Sequence, residues 1–107
     1  MTEARLVLTT VDNRKLADEL AHRLVELKLA ACVNIVDRVH SVYRWKGQVE
    51  TADEILLIVK TSAERVPALK EKILQLHTYE LPELIVLEVI DGTDAYLSWV
   101  LASSRSE

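Results

Sequence analysis

A long β-hairpin is the clearest pattern in the sequence, and it spans residues 39–60. Because side chains alternate across a strand, one face of its first strand is predicted to carry Val39, Ser41, Tyr43 and Trp45. Gly47 stands where the chain must reverse, and we expect a loop of about three to five residues there, since glycine tolerates positive φ. The returning strand is polar and then wholly apolar over residues 55–59, which predicts a buried hairpin base.

The tip of this hairpin carries Tyr43 and Trp45 among charged residues. A two-stranded ribbon alone is not stable in water, and a chain of 107 residues has little left to cover it. Tyrosine and tryptophan are enriched at protein interfaces, although the same rings can stack on a ligand. We therefore expect self-association through the hairpin, with ligand stacking as the alternative role of the two rings.

The residues before the hairpin predict two strands and a helix. An apolar run at residues 5–10 is typical of a buried strand, and leucines at helical spacing predict a helix over residues 14–29. Asp12 or Asn13 is expected to cap that helix. Residues 31–36 form a second strand-like run, which Asp37 and Arg38 interrupt as a bend or a bulge.

The residues after the hairpin predict a helix, a strand and a final helix. Thr61 stands three residues before Glu64, the spacing of a capping box, and the helix is expected to end at about His77. Pro67 must lie near its first turn, because further inside it would remove a backbone hydrogen bond. Residues 84–89 predict the last strand, and residues 94–103 predict a short C-terminal helix.

The order of these elements predicts an α+β fold. Strands and helices in the order β-α-β-β-α-β form a ferredoxin-like sandwich, here with a long β2–β3 hairpin and a C-terminal helix. The length of 107 residues is that of a single domain, residues 1–107. Helices would cover one face of the sheet, and we expect the last helix and a neighbouring subunit to cover the other.

Charge and cysteine content narrow the classes of function. The net charge is −4, with 17 acidic against 13 basic residues, which disfavours nucleic acid as a partner. Cys32 is the only cysteine, which fits a reducing compartment. No signal peptide and no run of about 20 apolar residues is visible, so we expect a cytoplasmic protein without a membrane partner.

The sequence contains no strong catalytic motif, so no enzymatic activity is predicted. It has no glycine-rich phosphate loop, no paired cysteines, and only three scattered histidines. His77 is the best candidate ligand, because it follows a helix and lies near the carboxylates of Glu80 and Glu83. The alternative is that His77 closes the helix C-terminus.

Cys32 and Lys60 each have a structural and a functional interpretation. Cys32 is either a small buried apolar residue or a thiolate metal ligand. Lys60 is either a solvated strand end or an anion-binding group.

Five motifs occur in order along nearly the whole chain: LAACVN (29–34), YRWKGQVE (43–50), EILLIVKT (54–61), HTYELPEL (77–84) and YLSWV (96–100). Together they resemble the CutA divalent-cation tolerance proteins. The resemblance implies a ferredoxin-like subunit in a homotrimer, with the hairpin pairing across subunits. It also implies a role in the response to divalent cations, copper binding in some members, no organic cofactor and no established enzymatic reaction.

The resemblance extends to the metal ligands only in part. His77 matches a histidine implicated in copper binding, and Cys32 matches the cysteine of the Ala-Ala-Cys motif. Some relatives carry a second histidine and a first-strand cysteine where this sequence has Leu76 and Thr9, and Thr78 replaces a common proline. The predicted metal ligands are His77, Cys32 and Glu80.

These observations predict a cytoplasmic, homotrimeric divalent-cation tolerance protein that binds metal weakly. One alternative is a trimer that senses a small molecule in clefts between subunits, lined by Tyr43, Trp45, Lys60 and Tyr79. The other alternative is a structural scaffold whose only property is stable assembly.

Overall fold

The structure is a computed structural model, and it describes residues 2–106 of the chain. Its elements are β1 (Ala4–Val11), α1 (Arg14–Glu26), β2 (Cys32–Trp45), β3 (Gln48–Ser62), a 3-10 turn (Ala63–Arg65), α2 (Val66–Leu76), β4 (Ile85–Glu88) and α3 (Asp94–Ser103). The strands form one sheet in the order β2-β3-β1-β4, and each neighbouring pair is antiparallel. The predicted α+β ferredoxin-like fold is therefore confirmed.

Helices α1 and α2 cover one face of the sheet and form the main core with it. Leu20 and Leu24 of α1, together with Leu69 of α2, are completely buried against this face. The facing strand residues are equally buried and come from every second position, as the alternation of a pleated strand requires: Val7, Val11, Leu57 and Val59.

The opposite face of the sheet is apolar, and only its end is covered within the chain. Here α3 packs through Val100 and Leu97 against Ala4, Ala31 and neighbouring residues in a second small core. The uncovered remainder, which we call the helix-free face, consists of half-buried or exposed residues of β1, β3 and β4: Leu6, Leu8, Leu56, Ile58, Ile85 and Leu87. The prediction that the last helix covers part of this face is confirmed.

The hairpin differs from the prediction at its turn. Trp45 pairs with Gln48, so Lys46 and Gly47 alone form the loop, and the expected length of three to five residues is wrong. Lys46 has φ 50° and Gly47 has φ 81°, the positive values that a two-residue type I′ turn requires at both positions. Such a turn matches the twist of the strands, which explains why no longer loop is needed.

The predicted interruption of the second strand is present as a bulge. The β2–β3 pairing shifts in register between Val36 and Val39, and β2 continues through it as one strand. Beyond the bulge, Val39, Ser41, Tyr43 and Trp45 pair with Glu54, Ala52, Glu50 and Gln48, so they share one face as predicted. By strand alternation this face continues the helix-free face of the sheet.

Two predicted helix boundaries are wrong. Helix α1 ends at Glu26 rather than residue 29, because Lys28 adopts φ 59° and the amides of Leu29 and Ala30 both return to the Leu24 carbonyl. Thr61 forms no capping box, because it lies within β3 and donates its hydroxyl to the Leu29 carbonyl at 2.7 Å. Pro67 does lie in the first turn of α2, as predicted.

Candidate functional site: a groove beside the hairpin

A groove of about 770 Å³ lies between the hairpin and the segment that joins α2 to β4. Tyr43 and Trp45 line it from the hairpin, and Tyr79, Glu80 and Glu83 line it from the α2–β4 segment. Its remaining wall includes Thr10 and Asp12 of the β1 end and Glu54 of β3. The groove therefore collects aromatic and acidic side chains from four separate parts of the chain.

His77 fixes the beginning of the α2–β4 segment through both of its ring nitrogens. Its Nδ1 accepts a hydrogen bond from the Tyr79 backbone amide at 3.1 Å. Its Nε2 therefore carries the proton and donates it to the Thr10 carbonyl at 2.7 Å. Thr10 lies two residues past Leu8, the last β1 residue paired with β4, so the imidazole bonds a β1 carbonyl beyond the end of that ladder.

Tyr79 connects the same segment to the sheet through a further hydrogen bond. Its hydroxyl donates to Glu54 Oε2 at 2.8 Å, and its ring lies 4.7 Å from the His77 ring between centroids. Burial and, next, the bond to the Glu54 carboxylate raise the pKa of the Tyr79 phenol above its ordinary value, because both disfavour a phenolate there. Tyr79 is therefore a neutral donor across the physiological pH range.

The charge of the groove is negative. Among residues 2–106, four carboxylates line it, those of Asp12, Glu54, Glu80 and Glu83, against one guanidinium, that of Arg44. Arg44 also donates to the Gly47 carbonyl at 3.3 Å, which directs it toward the hairpin turn. A cation facing aromatic rings and carboxylates is the type of ligand that such a lining favours.

The predicted metal ligands do not converge. Glu80 is exposed on the groove wall, and Cys32 is half-buried on β2. Cys32 pairs with Lys60 on β3, whereas the Thr10 carbonyl that holds His77 belongs to a residue paired with Leu56. Lys60 and Leu56 are four residues apart on β3, which is roughly 13 Å at about 3.3 Å per residue. Two ligands of one metal ion must each lie within about 2.3 Å of it, so this separation is too long for a shared ion.

The residues present do not fit a resident copper ion at His77. Nδ1 uses its lone pair to accept the Tyr79 amide and Nε2 carries the proton, so neither nitrogen can coordinate a metal in this arrangement. Within residues 2–106, no three His, Cys, Asp or Glu side chains are grouped closely enough to hold a metal ion. A metal ligand set of His77, Cys32 and Glu80 remains a prediction from the sequence, and it would need a rearranged or shared site.

The structure separates the residues predicted to line a ligand cleft. Tyr43, Trp45 and Tyr79 do line the groove, but Lys60 is not among its lining residues. The Lys60 ammonium donates to the Tyr96 hydroxyl of α3 at 3.2 Å instead. Sequence reasoning missed Glu54, although strand alternation places it on the same face as Tyr43. It also missed Thr10, which contributes a backbone carbonyl, a group that leaves no signal in the sequence.

Fold and groove define a class of α+β proteins with a helix-free sheet face and a projecting hairpin. The family profile described as CutA1 divalent ion tolerance protein matches residues 5–103. The chain belongs to this family.

Individual relatives agree with that assignment. The divalent-cation tolerance protein CutA of Thermus thermophilus is 45% identical over 95 residues, which cover 89% of this chain and 92% of that protein. Human protein CutA is 44% identical over 97 residues, which cover 91% of this chain but only 54% of the human protein, so this chain spans about half its length.

Solved structures show the same fold over nearly the whole chain. The Thermus thermophilus divalent cation tolerance protein superposes with a TM-score of 0.92 at 42% identity, covering 95% of this chain and 99% of that one. The CutA structure from Xylella fastidiosa gives 0.94 at 36% identity, covering 97% of this chain and all of that chain (100%). No helix within residues 2–106 is both long and apolar enough to cross a membrane.

Proposed function

We propose that this divalent-cation tolerance protein works as a homotrimer that takes part in the response to metal ions. The main support for this proposed assembly is the exposed apolar surface of the helix-free face. Ile85 and Leu87 expose 48% and 41% of their surface in the isolated chain, beside four half-buried residues of the same face. Contiguous apolar surface of this kind marks a protein interface, and copies of the same chain are its proposed partners.

The hairpin is the second proposed contact between subunits. All residues from 46 to 51 are exposed, and Tyr43 exposes 44% of its surface near the tip. A ribbon in this state gains stability when a neighbouring subunit covers it, and Tyr43 and Trp45 are the proposed anchors.

The proposed contact with metal is weak and is made by His77, with Glu80 as its neighbour and Cys32 as the remaining candidate. Imidazole and carboxylate are ligand types that copper and other divalent cations accept. Its weakness follows from the hydrogen bonds that already engage both His77 nitrogens. Membership of the divalent ion tolerance family supports the cation response itself.

Native mass spectrometry on metal-stripped protein, before and after addition of Cu(II), tests assembly and metal binding together. We expect a trimer that takes up copper in wild type and loses that copper in His77→Ala. His22→Ala is the matched control, since His22 lies exposed on α1 and its Nδ1 pairs with the Asp18 carbonyl of the same helix. A monomer at micromolar concentration contradicts the assembly, and unchanged copper uptake in His77→Ala contradicts the ligand.

The groove supports a second candidate function, the binding of a small molecule by the trimer. Its volume of about 770 Å³ is that of a small-molecule pocket, and Tyr43, Trp45 and Tyr79 supply stacking surfaces. A thermal-shift screen of organic cations, organic anions and nucleotides tests it, because a ligand that binds only the folded state raises the melting temperature. No response in this screen or to copper would favour the scaffold.

The compartment is proposed from one feature. The single cysteine, Cys32, forms no disulfide and is compatible with a reducing cytoplasm. The names of relatives differ in this respect, since one Archaeoglobus fulgidus structure is described as periplasmic and an Arabidopsis thaliana relative as chloroplastic. Cell fractionation with detection of the untagged protein tests the cytoplasmic location.

A further inference from the structure

We propose that the groove beside the hairpin binds a linear aliphatic amine that carries two or more ammonium groups. This assignment rests on the small-molecule function proposed above for the groove and gives the chemical class of its ligand. It does not involve the metal contact proposed for His77. The wide spacing of the groove carboxylates, their lack of cationic partners and the aromatic rings between them all support it.

The carboxylates of the groove come from separate parts of the fold. Asp12 follows β1, Glu54 lies on β3, and Glu80 and Glu83 lie on the α2–β4 segment. Within residues 2–106, no three such groups lie close enough together to hold one metal ion. A compact cation therefore reaches only part of this lining, whereas a chain with ammonium groups at intervals can pair with carboxylates on both walls.

The negative charge of the groove is not neutralised by neighbouring side chains. Within residues 2–106, no salt bridge pairs any of the four carboxylates with a lysine, an arginine or a histidine. Glu54 accepts a hydrogen bond from the Tyr79 hydroxyl at 2.8 Å, and this donor brings no positive charge. Arg44 donates to a carbonyl of the hairpin turn. The groove therefore attracts a ligand with positive charge.

Aromatic rings supply surface for the carbon chain of such a ligand. Tyr43 and Trp45 lie on the hairpin wall, and Tyr79 lies on the wall formed by the α2–β4 segment. The Tyr79 ring is held by its bond to Glu54 and by the His77 ring, 4.7 Å away between centroids. Methylene groups pack on ring faces, and an ammonium group over a ring gains cation–π attraction. A ring that is fixed before binding also lowers the entropic cost of binding.

Isothermal titration calorimetry of the assembled protein with butylamine, putrescine and spermidine tests the class of ligand. These amines share a butane unit and carry one, two and three ammonium groups. We expect affinity to rise in that order, by about 10-fold from butylamine to spermidine, and to fall as NaCl is added. Mg²⁺ carries the charge of putrescine on a single ion and should bind more weakly. No binding of spermidine, spermidine no tighter than butylamine, or Mg²⁺ tighter than putrescine overturns the proposal.

Paired substitutions test whether the amine lies in the groove. Glu80→Gln combined with Glu83→Gln removes two groove carboxylates with little change in shape and should weaken spermidine binding by about 3- to 10-fold. Glu26→Gln combined with Glu71→Gln is the matched control, because it removes the same charge from exposed positions on α1 and α2 that do not line the groove. This control should bind spermidine as wild type does. Equal affinity in wild type and the groove variant, or equal weakening in both variants, overturns the site.

The outcomes separate this assignment from the function on which it rests. If an organic anion or a nucleotide raises the melting temperature and the amines do not bind, the groove still binds a small molecule and the assignment to amines is wrong. If neither the amines nor any compound of the thermal-shift screen binds, the small-molecule function and the assignment are both overturned.

Discussion

Two buried threonines show how much a single hydroxyl depends on its partner. Thr9 and Thr61 both lie completely buried, one on β1 and one on β3. The Thr61 hydroxyl donates to the Leu29 carbonyl at 2.7 Å, and this bond fixes the chain between α1 and β2 to the sheet. The Thr9 hydroxyl has no hydrogen-bond partner among residues 2–106.

Replacing each threonine by valine is predicted to change stability in opposite directions. Thr61→Val leaves the Leu29 carbonyl without its donor and should lower the free energy of unfolding by about 2 kcal/mol. Thr9→Val removes an unpaired buried oxygen with little change in volume and should raise it by about 1 kcal/mol. Urea denaturation at one fixed protein concentration measures both, and equal shifts in the two variants would contradict this account.

Tyr79 is predicted to ionise only at strongly alkaline pH. Its folded pKa is raised by burial and by the Glu54 carboxylate, so its contribution to stability is present below about pH 10 and is lost as the pH rises through the folded value. The phenolate absorbance of wild type minus that of Tyr79→Phe should be near zero at about pH 10, where a free phenol is half ionised. Half of the full tyrosine signal in that difference would contradict the bond to Glu54.

At the scale of elements, the hairpin depends on the two residues of its turn. Gly47 has φ 81°, and a Cβ placed there would meet no atom within 4 Å. The constraint on this position is therefore conformational rather than steric. Lys46 adopts φ 50° with a full side chain, and its ammonium lies 5.6 Å from the centroid of the Trp45 ring.

Gly47→Ala is predicted to lower the free energy of unfolding by about 1 kcal/mol, because alanine disfavours positive φ. Gln48→Ala, one residue further along in ordinary strand conformation, is the control and should cost less. Thermal denaturation at fixed concentration compares the two. Equal melting temperatures for Gly47→Ala and wild type would mean that the hairpin turn relaxes into another geometry.

At the scale of the whole molecule, the helix-free face decides whether the chain can remain alone. Ile85 lies on this face, paired with Leu8, and exposes 48% of its surface. Leu74 exposes 53% of its surface on the outer side of α2. Both residues are partly exposed in the isolated chain, but only Ile85 belongs to the proposed subunit interface.

Ile85→Lys is therefore predicted to convert the proposed trimer into folded monomers, whereas Leu74→Lys should leave the proposed trimer intact. A charge on a solvent-exposed position costs a monomer little, but it cannot be desolvated in an apolar interface without a partner. Native mass spectrometry or light scattering at micromolar concentration distinguishes the two states. A stable trimer in Ile85→Lys would exclude this face from the interface.

Local pattern was sufficient for most elements. Alternation in the hairpin, leucine spacing in α1 and the capping position of Asn13, whose side chain accepts from the Leu16 amide at 2.8 Å, all depend on residues close in sequence. The turn length was mispredicted because glycine alone does not distinguish a two-residue turn from a longer one. Lys46 carries the second positive φ without any signal of its own.

The sequence by itself determined the fold, the family and the fact that Tyr43 and Trp45 share one face of their strand, because strand and helix periods are local properties of the chain. Only the tertiary structure decided the environment of His77. Its partners are a backbone carbonyl 67 positions away in sequence and an amide of the following segment, and backbone groups are the same at every residue. The separation of Cys32 from His77 was also decided only by the tertiary structure, because strand order and register set it rather than any local pattern along the chain.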